Sequence, residues 1–164
     1  MKESIDGLLV KSNKKKSFPK PERITFKVFK SVFSKVPRLC IDLLVASNDL
    51  GVVLVKRDIP PSKGCWHLPG GGVLFGEDLA DATHRIAKAE IGIEVRINKL
   101  LGVVEFTGNS IVGHGVSLVF LARPVSEKLR GSAEGKDLAF FKTLPTPIIE
   151  EHRNLLIKLG YFIP

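Results

Sequence analysis

The sequence predicts a mixed α/β or α+β domain, and three observations support this class. The chain has 164 residues, of which 44% are hydrophobic and 26% charged, as in an ordinary globular domain with its own core. Strand-like apolar runs come first, a helical pattern follows, and further strand-like runs precede a final helix. This order is typical of a sheet covered by helices, and no internal repeat interrupts it.

The positive charge is concentrated near the N-terminus. The formal net charge is +8, and the first 38 residues carry eleven basic and three acidic side chains, which accounts for all of it. We predict a basic arm over residues 1–22 and a single domain over residues 23–164. Such an arm is either a solvated, partly flexible tail or a surface that contacts nucleic acid, anionic lipid or a polyanionic substrate. No aromatic platform or nucleic-acid motif accompanies the lysines, which disfavours nucleic acid, although the arm leaves it open.

Two classes of protein are excluded by apolar run length. No stretch approaches the roughly 20 apolar residues that a membrane-spanning helix needs. The apolar run at residues 8–10 is too short for the core of a signal peptide. We therefore expect a cytoplasmic protein with no membrane partner.

The elements can be justified in chain order. Residues 24–36 place apolar side chains at helical spacing with lysines between them, although part of the segment also alternates as a strand does. This apolar stripe predicts docking on the domain or on a second subunit, which allows a homodimer. Residues 39–46 and 51–56 predict strands, because both are β-rich and the turn-forming pair Asn48-Asp49 separates them.

The second half of the chain continues this series of predicted helices and strands. A helical pattern runs from residue 78 to residue 90, and Gly92 is its predicted stop, because glycine commonly follows a helix end. The remaining predicted elements are strands at 94–106 and 115–122, a short apolar segment at 138–141 and a final helix at 148–159.

Residues 70–93 combine a glycine run with the start of a helix. The three glycines at 70–72 let the backbone approach a ligand closely, and the helix N-terminus that follows favours anions. Glu90 lies four residues after Ile86, close to the apolar stripe of the helix, where a carboxylate needs a partner or a cation. Carboxylate and carbonyl oxygens suit magnesium or manganese.

This segment resembles the Nudix box, whose pattern is G-x5-E-x7-R-E-U-x-E-E-x-G-U, with U an aliphatic residue. Ile86 and Ala89 stand where the family has glutamates. The resemblance extends over roughly residues 38–160 and implies a Nudix-like α/β/α sandwich with a mixed β-sheet. Seven of the nine defined positions match in register, namely Gly71, Glu77, Arg85, Ala87, Glu90, Gly92 and Ile93.

The loss of two glutamates is similar to the GDP-mannose mannosyl hydrolase branch of the family. That branch keeps one helix glutamate, binds one magnesium ion and directs water at the sugar carbon. This chain departs from the branch at two positions. The branch has an arginine where this chain has Gly72, and it has a histidine that acts as the general base where this chain has Gly135. His114 is therefore a candidate replacement for that base.

The resemblance implies a role for each candidate site residue. The predicted metal ligands are the Gly70 carbonyl, Glu90 and Glu134, and the predicted substrate contacts are Arg57, Gly71 and Gly72. The predicted catalytic groups are Glu90, Glu134 and, as the candidate replacement base, His114. Glu77 and Arg85 are predicted to form a structural salt bridge between loop and helix.

We therefore expect a magnesium-dependent Nudix hydrolase, with manganese as an alternative ion, acting on a nucleoside diphosphate-sugar or related diphosphate. One ion can stabilise a diphosphate leaving group, and a separate base then activates the water. The first alternative is a catalytically silent Nudix-fold binding or regulatory module. The second is a polyanion-binding protein that uses the basic arm, whose binding depends steeply on salt.

Overall fold

The computed structural model describes residues 22–108, 113–126, 128–131 and 137–163. Almost all of the predicted basic arm therefore lies outside the described residues. Within these ranges no helix is long and apolar enough to cross a membrane. The helices are α1 (Phe26–Phe33), α2 (Leu79–Glu90) and α3 (Glu150–Lys158), and the strands are β1 (Arg38–Ser47), β2 (Gly51–Lys56), β3 (Trp66–His67), β4 (Gly70–Gly72), β5 (Val95–Thr107), β6 (His114–Pro124) and β7 (Leu138–Phe141).

The seven strands of the described chain form one mixed sheet. Its main path runs β3-β2-β1-β6-β5, while β4 pairs with β1 and β7 pairs with β2. β1 and β6 are parallel, from Arg38 opposite Gly115 to Val45 opposite Ala122, and the other pairs are antiparallel. A parallel pair needs a long crossover connection, and the crossover between β1 and β6 contains α2.

The two faces of β1 carry the two halves of the core. Ile41 and Leu43 are fully buried in a cluster with Ile86 of α2, whereas Leu44 is fully buried in a cluster with Leu156 of α3. Successive side chains of a strand point to opposite faces, so α2 and α3 cover opposite sides of the sheet. This arrangement is the predicted α/β/α sandwich.

Two short strands were not predicted. The sequence predicts a glycine run at residues 70–72 that approaches a ligand, but it gives no strand there or at residues 66–67, where the structure has β4 and β3. A run of two or three residues is too short to show alternation, and glycine has a low strand propensity. Backbone pairing of β4 with β1 therefore defines this strand, without any pattern of side chains.

The amphipathic segment forms α1, but its apolar stripe is only partly covered. No residue of α1 is buried, and Phe26 is 74% exposed. The rings of Phe29 and Phe33 meet edge-on with centroids 4.8 Å apart, and the Arg38 guanidinium lies 5.6 Å from the Phe29 centroid. The predicted docking on the domain is thus limited to this half-buried cluster. Other apolar side chains along the segment stay exposed, namely Ile24, Val28, Val32 and Val36.

This exposed face predicts a homodimer in which α1 packs against a second copy. Sedimentation equilibrium at micromolar concentration is expected to give twice the 18.0 kDa chain mass. Aspartates at Phe26 and Val32 together are expected to give the single-chain mass, because an unpaired charge in an apolar interface is costly. Val125→Asp is the control, since Val125 is 66% exposed outside α1. A single-chain mass for the wild type would contradict the prediction.

Candidate active site

The glycine strand β4 lies tightly between β1 and α2. Gly70 is opposite Asp42 in the antiparallel pair, and a Cβ on Gly70 would overlap Asp42 Oδ1. A Cβ on Gly71 would lie 3.3 Å from Ile86 Cγ1. Glycine is therefore required at Gly70 by close approach, and it brings the backbone of β4 against the helix that carries Glu90.

α2 begins and ends at residues with a clear physical role. The Asp78 carboxylate caps the helix by accepting the Ala80 N–H at 2.9 Å. Gly92 follows the helix with a φ of +72°, and a side chain there would collide with the backbone of Arg130. Only glycine adopts this conformation without strain. The helix therefore stops directly after its last residue, the half-buried Glu90.

An ion pair links the loop before α2 to the helix itself. Arg85 Nε lies 2.6 Å from Glu77 Oε1, and Arg85 Nη2 lies 2.8 Å from Glu77 Oε2. The same Nη2 donates to the Gly72 carbonyl at 2.9 Å, and the Leu74 N–H donates to Glu77 Oε2 at 3.0 Å. Both carboxylate oxygens of Glu77 are thus engaged by protein donors, which suits a structural role, and Arg85 also anchors the end of β4.

Burial of Glu77 by itself raises its pKa, but hydrogen bonds from Arg85 and the Leu74 amide, with the Arg85 charge, outweigh burial and hold the pKa below its usual value. A lowered folded-state pKa stabilises the fold above the unfolded value of about 4.3, and this stability is lost as the pH falls through the folded value. We expect the unfolding free energy of wild type to fall more steeply below about pH 4.3 than that of Glu77→Gln. Equal acid slopes in urea titrations would contradict this.

The described residues offer one box carboxylate for a divalent ion. Glu77 is engaged by Arg85, Ile86 is 1% exposed within the core, and Ala89 is exposed, so Glu90 is what α2 contributes. Within the described ranges no three His, Cys, Asp or Glu side chains come together as a metal cluster. This donor set fits magnesium, which keeps several waters and is bound by one or two carboxylates plus substrate phosphates. The roles of Glu90 and the Gly70 carbonyl as its ligands stay predictions.

The two missing glutamates differ in what their restoration is expected to do. Ala89→Glu adds a carboxylate at an exposed position, so we expect several-fold tighter Mn²⁺ binding and a change in unfolding free energy within about 0.5 kcal/mol. Ile86→Glu buries a charge in the core, so we expect a loss of about 3 kcal/mol or more. Electron paramagnetic resonance of free Mn²⁺ and urea denaturation measure the two effects. An Ile86→Glu variant as stable as wild type would contradict the account.

Arg57 follows β2 in the loop that leads to β3. Its Nε donates to the Pro61 carbonyl at 2.6 Å, and its backbone pairs with Cys65 and Gly64 across the same loop. The guanidinium is therefore attached to this loop. Its contact with a diphosphate stays a prediction.

Within the described residues, neither of the two candidate bases lies beside β4. His114 begins β6, is exposed, and has its Nε2 3.1 Å from Glu105 Oε1. Val119 of β6 is level with Asp42 and hence with Gly70, so His114 starts five residues, or about 17 Å, further along the strand. Glu134 lies outside the described residues. The catalytic roles of both residues stay predictions.

A buried polar cluster beside Gly70 was not predicted. Asp42 and His152 are 7% and 3% exposed, and His152 Nε2 lies 3.1 Å from Asp42 Oδ2. The His67 ring stacks 6.3 Å from the His152 ring, and burial lowers the His67 pKa to about 4. The sequence signal was the carboxylate of Asp42 inside an apolar strand, because a buried charge requires a partner.

Comparison with known proteins identifies the family. Residues 36–155 match the model of the NUDIX domain. The chain belongs to the Nudix family. The ADP-ribose pyrophosphatase of Methanocaldococcus jannaschii is 31% identical over 122 residues, which are 74% of this chain and 72% of that protein. The predicted membership is confirmed, and the chain is a Nudix hydrolase.

Two further proteins are similar to this Nudix hydrolase. The low-salt glycan biosynthesis protein Agl8 of Haloferax volcanii is 36% identical over 83 residues, or 51% of this chain and 53% of that protein. The crystal structure of a MutT NUDIX hydrolase from Burkholderia pseudomallei has a TM-score of 0.68 at 30% identity and covers 76% of this chain and 98% of its own. The predicted sandwich is therefore confirmed as a Nudix fold.

Proposed function

We propose that this Nudix hydrolase cleaves a nucleoside diphosphate-sugar or a related diphosphate with magnesium, for which manganese can substitute. The observation that carries the proposal is the placement of Glu90 at the end of α2, which packs against β4. The relatives support the substrate class, since one acts on ADP-ribose, a diphosphate joined to a sugar, and another takes its name from glycan biosynthesis.

The reduced set of carboxylates favours attack at the sugar carbon, as in GDP-mannose hydrolysis. When bound, the ion neutralises negative charge on the leaving diphosphate. Glu90 and the Gly70 carbonyl would hold that ion, while Arg57 and the backbone of Gly71 and Gly72 would contact the diphosphate. The water oxygen bonds to the sugar carbon, and the bond from that carbon to the diphosphate oxygen breaks with its electron pair going to the oxygen.

The proton of the attacking water needs an acceptor within the protein. Glu134 and His114 are the two alternatives for this base. His114 is exposed and begins β6 about 17 Å along the sheet from the level of Gly70. We therefore propose Glu134 first and His114 second.

Product analysis on a panel of nucleoside diphosphate-sugars, including ADP-ribose and GDP-mannose, tests the function. We expect magnesium-dependent release of free sugar and nucleoside diphosphate by wild type, and loss of this release in Glu90→Gln. Nucleoside monophosphate with sugar phosphate would keep the hydrolase and overturn the attack at carbon. The absence of magnesium-dependent turnover on every substrate would overturn the hydrolase and favour a silent binding module.

A further inference from the structure

The chain changes its sheet neighbour between β3 and β4. β3 pairs with β2, and β4 pairs with β1, so the crossing falls at Leu68 and Pro69. The Pro69 carbonyl accepts the Leu43 N–H at 2.8 Å, while proline itself has no N–H to donate. Leu68 is fully buried. Its N–H needs a partner, because an unpaired buried donor is energetically costly.

A histidine of α3 supplies this partner. The Leu68 N–H donates to His152 Nδ1 over 3.2 Å, and the His152 side chain is only 4% exposed. The Phe106 ring meets the imidazole edge-on at 5.4 Å, and the His67 ring stacks on it. The imidazole is therefore fixed in place by packing, and α3 holds the crossing through it.

Asp42 determines which nitrogen of His152 can accept. Its Oδ2 lies 3.1 Å from His152 Nε2, and because Nδ1 accepts the Leu68 N–H, the ring proton sits on Nε2 and is donated to Asp42. The other oxygen, Oδ1, packs against Gly70 at the place where a Cβ would be. One carboxylate thus contacts both the imidazole and the glycine strand.

We propose that His152, oriented by Asp42, is a positioning residue that sets the direction of the Gly70 carbonyl. The role of that carbonyl as a metal ligand rests on the proposed function. The pair acts at the two ends of the Leu68-Pro69-Gly70 segment: His152 fixes the Leu68 amide, and Asp42 abuts the Gly70 Cα. Rotation of the His67–Leu68 peptide would break the bond to His152. Rotation of the Pro69–Gly70 peptide would break the hydrogen bond from the Leu43 N–H to the Pro69 carbonyl, and a shift of Gly70 toward Asp42 would force an overlap. The carbonyl is therefore held before any ligand binds.

Four variants of the full chain separate positioning from general stability. Asp42→Asn keeps an acceptor for Nε2 and His152→Asn keeps an acceptor for the Leu68 N–H, whereas Asp42→Ala and His152→Phe remove them. Val119→Ala is the matched control, because Val119 is level with Asp42 on the neighbouring strand, is fully buried in the core cluster facing α3, and has an aliphatic side chain that forms no hydrogen bond. Mn²⁺ affinity by paramagnetic resonance and amide exchange at Leu68 by NMR are measured for each.

We expect Mn²⁺ binding about tenfold weaker in Asp42→Ala and His152→Phe, with faster Leu68 exchange, and much smaller changes in the two asparagine variants. Wild-type affinity in both disruptive variants, or an equal loss in Val119→Ala, would overturn the positioning role. A wild-type chain that binds no Mn²⁺ would overturn the proposed function instead. In that case, faster Leu68 exchange in Asp42→Ala than in Val119→Ala still supports the positioning, and equal exchange overturns it.

Discussion

Replacement of Glu90 by glutamine is expected to lower kcat by about two to three orders of magnitude. Glu90 is the carboxylate that the box helix contributes, because Ile86 and Ala89 occupy the other two acidic positions of the family pattern. The amide is a weaker ligand for a hard divalent ion, and stabilisation of the leaving group falls with it. Steady-state kinetics at saturating substrate, repeated over a range of magnesium concentrations, measures the loss.

Glu94→Gln is the control for this experiment. Glu94 is a nearby exposed carboxylate that pairs with Lys88 at 3.2 Å, so its loss is expected to leave kcat unchanged. Partial recovery of the Glu90→Gln variant at high magnesium concentration would identify the defect as one of metal affinity. If Glu90→Gln kept more than about a tenth of wild-type kcat, the assignment of Glu90 as the metal-binding carboxylate would be wrong.

The second large effect concerns stability. Arg85→Ala is expected to lower the free energy of unfolding by about 3 kcal/mol, because it leaves the Glu77 carboxylate, 6% exposed, without its bidentate partner. It also removes the donor to the Gly72 carbonyl. Arg85→Lys is expected to recover only part of the loss, since an ammonium group cannot reproduce the two parallel hydrogen bonds. Urea denaturation with linear extrapolation measures both variants.

An exposed ion pair on the same helix provides the comparison. Lys88→Ala removes the pair with Glu94, in which both side chains are more than half exposed, and is expected to change the unfolding free energy by less than about 0.5 kcal/mol. A loss in Arg85→Ala as small as the loss in Lys88→Ala would show that the Glu77–Arg85 pair does not stabilise the fold.

Local patterns in the sequence predicted most of the fold. α2 was predicted within one residue of its observed start, because Asp78 and Gly92 are specific helix boundary signals and apolar residues recur at helical spacing between them. β1 was predicted because a short β-rich apolar run that ends at the Asn48-Asp49 turn is typical of a buried strand. The Nudix box also predicted how far Glu90 lies from the glycines along the sequence, because the fixed spacing of the box includes both.

Contacts between distant residues could not be predicted in the same way. Asp42 and His152 are 110 residues apart, and nothing in the local pattern around either one indicates the other. The acidic residue within an apolar strand signals that a partner exists, but only the packing of α3 against the sheet identifies it. β4 was missed for a related reason: three glycines carry no pattern, and their pairing with β1 depends on the tertiary fold.

The position at which water attacks distinguishes attack at the sugar carbon from attack at phosphorus. Reaction of the cleaved nucleoside diphosphate-sugar in ¹⁸O-labelled water, followed by mass spectrometry of both products, locates the new bond. A site with one box carboxylate, which activates the leaving group, predicts the label in the free sugar and an unlabelled nucleoside diphosphate. Label on a phosphate would place the attack at phosphorus and contradict the account of how Glu90 and the glycine strand act.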